Sequence, residues 1–461
     1  MNNPEISRRS FIEKSLTGIA SLSAGHLIAS CQHEGSSPPS ARASLTANVN
    51  GITIRRDIGS LAPDDDSLLM LKEAVQVLHR RSSANQLAPD GWYAHAVQHS
   101  MFCFTNEFER QVHFTWLFYP WHRAFLYFLE KKLQGAINEP SLALHYWDWT
   151  KTPYLPDVYW GEDNPLYDRT RLATREDSIP DDYMNIQSHL RTPTFKAFGG
   201  YPKGSPDLPF GEGVVEQSTH NCIHNWIGGN MDNFATAATD PVFSGHHGNV
   251  DRLWEAWLAA DPAHKNPEDR SFLDYVFNFT DAFGYPTKIK VSETLNTEDL
   301  GYRFENLDFT KSYEGANERP HPQGNQPTLV QPVEVEPGQR QAIADAVAGG
   351  FQRVILKLDR FKLPYVPICI RVFLNERGKN VNQDTLGTEY VTTVTILPVG
   401  KPNTAQLEKE VIMQAEVGSH LAELIASGKP LQATLEPVKV PGREIPDVTT
   451  QIEIISIEFD A

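Results

Sequence analysis

The stretch that decides the fold reads His113-Phe-Thr-Trp-Leu-Phe-Tyr-Pro-Trp-His122-Arg123, and a second one reads His220-Asn-Cys-Ile-His224. Histidines four residues apart on a helix project from the same face, so His220 and His224 can bind one metal ion. His122 lies on a predicted helix over 121–133 that begins after Pro120. A short helix over 219–226 carries the second pair. Opposed helix pairs of this kind predict a four-helix bundle with metal ions in its core.

Two further blocks supply the remaining histidines. One reads His246-His247-Gly-Asn-Val-Asp251-Arg252, at the start of a predicted helix that ends before Pro262, and the other contains His99 and Cys103. Another amphipathic helix is predicted over 67–81. Imidazole ligands without carboxylates suit copper or zinc much better than magnesium, calcium or manganese. The sequence therefore predicts two metal sites made of histidine.

The blocks 113–130 and 220–257, together with Asp240-Pro-Val-Phe243, closely resemble the two copper-binding halves of tyrosinases and polyphenol oxidases, most of all the plant catechol oxidases. The resemblance implies two copper ions. His95 competes with His99 as the first ligand, but Cys103 has the family spacing from His99. His246 is placed beside the ligand set, not in it. The ligands implied are His99, His113 and His122 for one copper, and His220, His224 and His247 for the other.

The resemblance also assigns roles near the ligands. Cys103 matches a cysteine that forms a thioether bond with a copper ligand, here His113, and a buried free thiol is the alternative. Asp251 and Arg252 are expected to orient ligands and seal the bundle, as side chains around metal-bound histidines do. An ordinary helix-surface salt bridge is the alternative.

The activity implied is oxidation of phenols by O2, with o-quinones as products. Glu216 and Asn221 match the pair thought to hold a basic water, which matters because a monophenol with a pKa near 10 must lose its proton. This favours hydroxylation of monophenols as well as oxidation of o-diphenols. Surface and helix-capping roles are the alternative for this pair. Phe234 aligns with an aromatic residue over one copper, although core packing explains it equally well, and Asn225 occupies a position thought to affect substrate choice.

Other classes of protein fit less well. Catechol oxidase without monophenolase activity is the main alternative, and a hemocyanin-like O2 carrier would use the same histidines. A zinc hydrolase is disfavoured because no HExxH motif is present. The 461 residues include 41 Lys and Arg against 58 Asp and Glu, a formal charge of -17, which argues against nucleic acid as a partner. Phenolic small molecules and O2 are the expected partners, and the oligomeric state stays open.

Residues 1–31 resemble a twin-arginine export signal, with Arg8-Arg9 before a short apolar run. The run ends in Leu27-Ile28-Ala29-Ser30-Cys31, which resembles a lipobox, and a plain signal with an incidental cysteine is the alternative. Residues 32–48 form a polar tether. We therefore expect a periplasmic protein or a lipoprotein attached to the membrane through a lipid on Cys31. The four cysteines give no disulfide framework.

The rest of the chain divides into two parts. Residues 49–309 are predicted to form a mainly α catalytic domain, the four-helix bundle that holds the dicopper centre, with long loops. The Pro- and Gly-rich segment 310–350 is predicted to be a linker. Residues 351–461 are predicted to form a small β-sandwich, with strands over 354–358, 366–374, 388–397 and 451–459. The resemblance implies that this C-terminal domain shields the copper site, and a permanent structural role is the alternative.

Overall fold

The computed structural model describes residues 51–103, 111–203, 211–309, 329–335, 340–341, 345, 354–361, 368–374, 390–396, 411–416, 424–425, 427–438, 441–442 and 454–459. The predicted signal, lipobox and tether, and most of the predicted linker, lie outside these residues. Within the described residues, no helix is both long and apolar enough to cross a membrane.

The first part of the chain is mainly helical, as predicted. Its longer helices are α1 (Asp66–Ala84), α2 (Trp92–Cys103), α3 (Phe118–Ile137), α4 (Asn221–Ile227) and α5 (Val242–Ala260), and a π-helical turn, Glu216–His220, leads into α4. Short helices cover Ile186–Leu190, Phe195–Gly199 and Arg270–Leu273. Helix α3 packs against α1 and α5, so the bundle forms around it.

Each helix has a local reason for its bounds. The Asp65 carboxylate accepts a hydrogen bond from the Ser67 backbone amide and caps the start of α1. Asn138, in the left-handed conformation, ends α3. Gly228 ends α4 with φ of +71°, and a Cβ there would lie 2.8 Å from the Leu172 Cβ. Glycine is therefore needed where the chain leaves the second histidine pair.

A pair of short parallel strands closes the helical domain. Strand β1 (Thr53–Arg55) pairs with β4 (Tyr302–Phe304), and the intervening β2 (Val276–Thr280) and β3 (Pro286–Lys290) form a hairpin. Arg55 lies fully buried at this junction, with its guanidinium carbon 3.5 Å from the centre of the Tyr302 ring. The two ends of the domain are thus joined by contacts between residues far apart in sequence.

The C-terminal part forms two four-stranded sheets, in agreement with the predicted β fold. One sheet has the strand order β10-β7-β12-β6 and the other β5-β11-β8-β9. The strands are β5 (Leu329–Pro332), β6 (Glu334–Val335), β7 (Val354–Phe361), β8 (Ile368–Leu374), β9 (Tyr390–Ile396), β10 (Val411–Glu416), β11 (Gln432–Val438) and β12 (Ile454–Phe459). We call residues 329–461 the tail.

The tail rests on the second histidine pair's side of the bundle. Strands β8 and β9 contact α4, and β9 also contacts the π-helical turn. The Arg371 guanidinium donates two hydrogen bonds to the Asp182 carboxylate, at 2.8 and 2.9 Å, and the Thr393 hydroxyl donates a third at 2.7 Å. Near the chain end, Gly442 packs on Leu172. These contacts hold the tail beside α4, which carries His224, and beside the π-helical turn that carries His220.

Candidate metal centre

Two groups of buried histidines meet in the core of the bundle. In each group, one potential ligand atom from every member lies within 4.8 Å of those from the others. Rings from the two groups also touch, since His122 stacks on His247 with ring centres 4.4 Å apart. The groups are His99, Cys103, His113 and His122, and His220, His224, His246 and His247.

Each histidine of the first group is oriented through its Nδ1 atom. Nδ1 of His99 donates a hydrogen bond to the Phe234 carbonyl at 2.9 Å, and Nδ1 of His122 donates one to the Phe118 carbonyl at 2.8 Å. Nδ1 of His113 donates to Glu216 Oε1 at 2.7 Å. These bonds place the proton on Nδ1 and leave the Nε2 lone pair free. All three Nε2 atoms are buried and lack a hydrogen-bond partner in the described structure.

The second group shows the same pattern. His220 donates from Nδ1 to Asn221 Oδ1 at 2.9 Å, and His224 donates from Nδ1 to the Met231 carbonyl at 2.7 Å. Their Nε2 atoms approach Nε2 of His247 at 3.2 and 3.0 Å. Two imidazole nitrogens whose lone pairs face each other at this distance repel unless a proton or a metal ion lies between them. The donor set therefore fits a metal ion.

The rings are held neutral, which is the form that binds metal. Burial lowers the pKa of His99 to about 3 and that of His224 to about 4. Burial, together with the neighbouring imidazoles, lowers the pKa of His113, His122, His220 and His247 well below the usual range. Metal binding at neutral pH then requires no loss of a proton from these rings.

The neighbouring histidines are placed differently. Nδ1 of His246 accepts a hydrogen bond from the Trp149 indole at 3.1 Å, whereas Nε2 of His247 faces both His220 and His224. The structure thus favours His247 as the ligand. His95 packs against Phe125, with ring centres 4.1 Å apart, and is not part of either group. His145 is also buried and is not part of either group.

Glu216 binds a histidine directly, which the sequence did not predict. Its Oε1 accepts hydrogen bonds from His113 Nδ1 and, at 3.0 Å, from the Phe114 amide. Phe114 has φ of +63°, an uncommon backbone conformation for a bulky residue. The predicted partner of Glu216, Asn221, lies on His220 instead and donates from Nδ2 to Glu212 Oε1 at 3.4 Å.

Glu212 is a residue that sequence reasoning missed. It stands eight residues before His220, and its only sequence signal is its place in a Gly-Glu-Gly turn. Burial raises the pKa of Glu212, and burial together with the charge of Glu212 raises the pKa of Glu216 well above its usual range. Two carboxyl groups therefore accompany the two histidine groups, one beside each.

Cys103 and Phe234 both lie beside the first histidine group. Cys103 is fully buried, and its sulfur belongs to the first histidine group. The Phe234 ring packs edge-on against His113, with ring centres 4.7 Å apart. Asn225, in contrast, donates toward the Cys369 sulfur of the tail at 3.9 Å. The site predicted to affect substrate choice is thus covered by β8.

Asp251 and Arg252 were expected to orient ligands and to seal the bundle, and their contacts join α5 to other elements of the bundle. Asp251 binds Arg55, Arg123 and the Tyr302 hydroxyl, and these contacts join α5 to α3 and to the β1–β4 pair. Arg252 donates to Asp148, Asn249, Asn306 and the Asp308 carbonyl. These contacts hold the bundle together, and the hydrogen bonds that the described structure gives to the two side chains are not with ligand histidines.

The fold and the site define a class of protein: a helical bundle with two adjacent all-histidine sites that suit copper. Comparison with known proteins agrees. Residues 89–181 and 157–260 match the common central domain of tyrosinase. Residues 89–260 of this chain thus resemble the central domain of tyrosinase, and the two histidine groups that could each hold a metal ion lie within them.

A chloroplastic polyphenol oxidase of Vitis vinifera is 36% identical over 235 residues, which cover 44% of this chain and 38% of the relative. The chain thus spans about two fifths of the length of this curated relative. The structure of latent apple tyrosinase is similar over 89% of this chain and 97% of that one, with a TM-score of 0.68 and 23% identity. A functional unit of octopus hemocyanin is similar over 88% of this chain and 99% of that one, with a TM-score of 0.53 and 17% identity. These two likenesses show the fold.

Proposed function

We propose that this protein oxidises phenols with O2, hydroxylating monophenols at the ortho position and converting o-diphenols to o-quinones. The observation that carries the proposal is the pair of facing histidine groups, whose Nε2 lone pairs are buried without partners or oppose one another. Copper bound there would supply O2 binding and the electron transfer. His99, His113 and His122 would hold one ion, and His220, His224 and His247 the other.

The protein's own contribution is to fix these ligands before a metal arrives. Carbonyl, carboxylate and amide oxygens hold five of the six rings through Nδ1. Such bonds strengthen the donor nitrogen and fix ring orientation. His247 is held by packing instead, between Phe243 at 4.0 Å and His122 at 4.4 Å between ring centres. Tight packing around the ligands also excludes water from the site.

Proton uptake from a monophenol is the step that needs a base, and we assign it to the carboxylates of Glu216 and Glu212 together with Asn221. Glu216 Oε2 has no hydrogen-bond partner among the described residues, so it can take a proton while Oε1 keeps its bond to His113. Asn221 joins Glu212 to the second histidine group. Phe234, packed on His113, would contact an aromatic substrate at the first site.

The test is turnover by copper-loaded protein, measured as O2 uptake with a catechol and with a monophenol. Two copper ions per chain and turnover of both substrates are expected. Turnover of the catechol alone would support the catechol oxidase alternative. Two bound coppers without turnover of either substrate would support the O2-carrier alternative, which the fold shared with octopus hemocyanin keeps open.

We propose further that Cys103 forms a thioether bond with His113. Its sulfur lies with the first histidine group, and a sulfur bonded to the ring could not compete for copper. Formation of the carbon–sulfur bond removes two hydrogens, with two electrons passing to O2. Peptide mass spectrometry after copper loading in air should find the segments around Cys103 and His113 joined. Recovery of both as separate peptides would contradict the bond.

We also propose that the tail makes the enzyme latent, with a linker that begins at residue 310 and a shielding domain over 351–461 to which β5 and β6 also belong. Support comes from the contact of β9 with the π-helical turn. The apple tyrosinase with this fold is described as latent. Cleavage between the two parts should raise catechol turnover, while unchanged turnover would make the tail a permanent structural domain.

Export by the twin-arginine route, with or without a lipid on Cys31, is proposed from Arg8-Arg9 and the residues before Cys31. Expression in a bacterium, followed by cell fractionation and labelling with a radioactive fatty acid, tests both parts. An Arg8→Lys, Arg9→Lys variant should stay inside the cell. Label that persists in a Cys31→Ser variant would rule out lipidation at that residue.

A further inference from the structure

Two buried cysteines meet at the junction between the tail and the bundle. Cys222 lies on α4 and Cys369 on β8, and the side chains of both are free and fully buried. The two thiols meet at one hydroxyl group. Both contact the hydroxyl of Thr395 on β9, which lies 3.3 Å from the Cys369 sulfur. The contact thus joins three elements from the two parts of the chain.

The surrounding contacts keep the two thiols together. Tyr183 hydrogen-bonds Cys369, and the Asn225 amide lies 3.9 Å from the same sulfur. The same junction contains the double hydrogen bond from Arg371 to Asp182. A disulfide needs two side chains that approach each other on backbones already at the right separation. The shared contact with the Thr395 hydroxyl brings the two sulfurs close together at a junction that other hydrogen bonds hold.

We propose that Cys222 and Cys369 form a disulfide bond that fastens the tail to α4. The oxidant is a low-molecular-weight disulfide such as glutathione disulfide. One sulfur attacks it and releases a thiol, and the second sulfur then displaces the other thiol from the mixed disulfide. The protein gives up two electrons and two protons, one S–S bond forms in the chain, and one S–S bond breaks in the oxidant.

Burial determines when the bond can form. Because both thiols are inaccessible in the docked structure, the exchange takes place before the tail docks or while it is lifted. Once formed, the bond keeps the tail on α4 even when the chain is cut between residues 309 and 329. Since α4 carries His224 and directly follows the turn that carries His220, the bond would preserve latency after cleavage. That consequence rests on the proposed function, whereas the bond itself does not.

The experiment uses the full copper-containing chain treated with glutathione disulfide. The protein is unfolded without reductant in the presence of iodoacetamide, digested, and analysed by mass spectrometry. We expect a linked pair of peptides containing Cys222 and Cys369. The linked pair should be lost in Cys369→Ser and in Cys222→Ser and kept in Cys103→Ser, the matched control.

A second measurement does not depend on a variant that folds. Wild-type protein is cleaved in the segment 310–328 and run on a gel without reductant. The tail should stay attached after glutathione disulfide and separate after reduced glutathione. Alkylation of Cys222 and Cys369 in the oxidised sample, or glutathione attached separately to each, would overturn the proposal. Neither readout uses catechol turnover, so a failure of the proposed oxidase function would be seen separately.

Discussion

The carboxylate of Glu216 binds the ring of His113, with Oε1 2.7 Å from Nδ1, while the histidine's Nε2 faces the first site. The same oxygen accepts the amide of Phe114, so the π-helical turn before α4 supports a ligand that precedes α3. One carboxyl group thus links the two halves of the site: it orients the first half and lies on the element that carries the second. Its position explains why the turn is π-helical, since such turns often place functional side chains.

Replacing Glu216 should weaken copper binding at the first site. We expect Glu216→Ala to lower copper affinity there roughly 10- to 100-fold, because the ring loses the acceptor that orients it. Glu216→Gln keeps an oxygen acceptor and should lose less. Chelator competition with copper-loaded protein measures this. Glu212→Gln is the control, since Glu212 contacts Asn221 and not His113, and an equal loss in that variant would contradict the assignment.

Asp251 should be important for stability and not for ligand geometry. Its carboxylate binds two buried arginines and a buried tyrosine, so Asp251→Asn leaves Arg55 and Arg123 without a full counter-charge. We expect a loss of about 3 kcal/mol in the free energy of unfolding. Denaturant titration measures the loss.

The matched control for that variant is Glu255→Gln. Glu255 also binds Arg123, at 2.7 Å, but its side chain is 22% exposed. We expect a loss below about 1 kcal/mol. If both variants lose a similar amount of unfolding free energy, burial is not what makes the contacts of Asp251 contribute to stability.

Asp57 should make stability fall as pH rises. Burial raises the pKa of Asp57 to about 6, so the folded protein holds a proton that the unfolded chain releases near pH 4. Protonated Asp57 stabilises the folded state fully below about pH 4. This stabilisation is lost as the pH rises to about 6, and the free energy of unfolding falls by roughly 3 kcal/mol.

The variant Asp57→Asn tests this. Oδ1 of Asp57 accepts from the amides of Gly59 and Asp148, both at 3.1 Å, and asparagine keeps that acceptor. The melting temperature of the variant should change less between pH 4 and 6 than that of the wild type. At pH 7 it should equal or exceed the melting temperature of the wild type. Asp64→Asn, on an exposed loop, should keep the wild-type profile. A wild-type slope in Asp57→Asn would assign the pH dependence to another group.

Weakening the tail contact should expose the bundle. Asp182→Asn removes the charge that receives both the Arg371 guanidinium and the Thr393 hydroxyl. We expect faster proteolysis between the two parts and, if the tail shields the site, higher catechol turnover before cleavage. Asp157→Asn is the control, because its ion pair with Arg175 is exposed to solvent. Equal proteolysis of the two variants would show that the Asp182 contact does not hold the tail.

The histidine blocks predicted the metal groups because helical spacing alone brings such side chains together. Helix α2 was not predicted, although it carries His99, because its buried face includes His95, His99 and Cys103 and so shows no clear apolar stripe. Strand β11 was missed for a related reason: it contains Glu436 and Pro437. Strand β5 pairs only with residues 432–435 of β11, so Pro437 lies beyond this pairing. Proline is tolerated there because no backbone N–H is needed on the side that faces β5.

Contacts distant in sequence were beyond prediction. Glu216 and His113 are 103 residues apart, and Cys222 and Cys369 are joined only by the docking of the tail. No periodicity or spacing in the sequence relates the two members of either pair. The partners of Asp251 were equally beyond prediction, since Arg55, Arg123 and Tyr302 are 51 to 196 residues away in sequence.

The parallel pairing of β1 with β4 affects the order in which the protein can be made. Thr53 pairs with Tyr302, so the first strand to leave the ribosome waits for about 250 further residues before its partner appears. All six histidines are therefore synthesised before β1 pairs with β4 and closes the bundle. Any shortened version that omits the tail must extend past Phe304. A chain that ends sooner would contain all six histidines but would lack the strand β4 that pairs with β1.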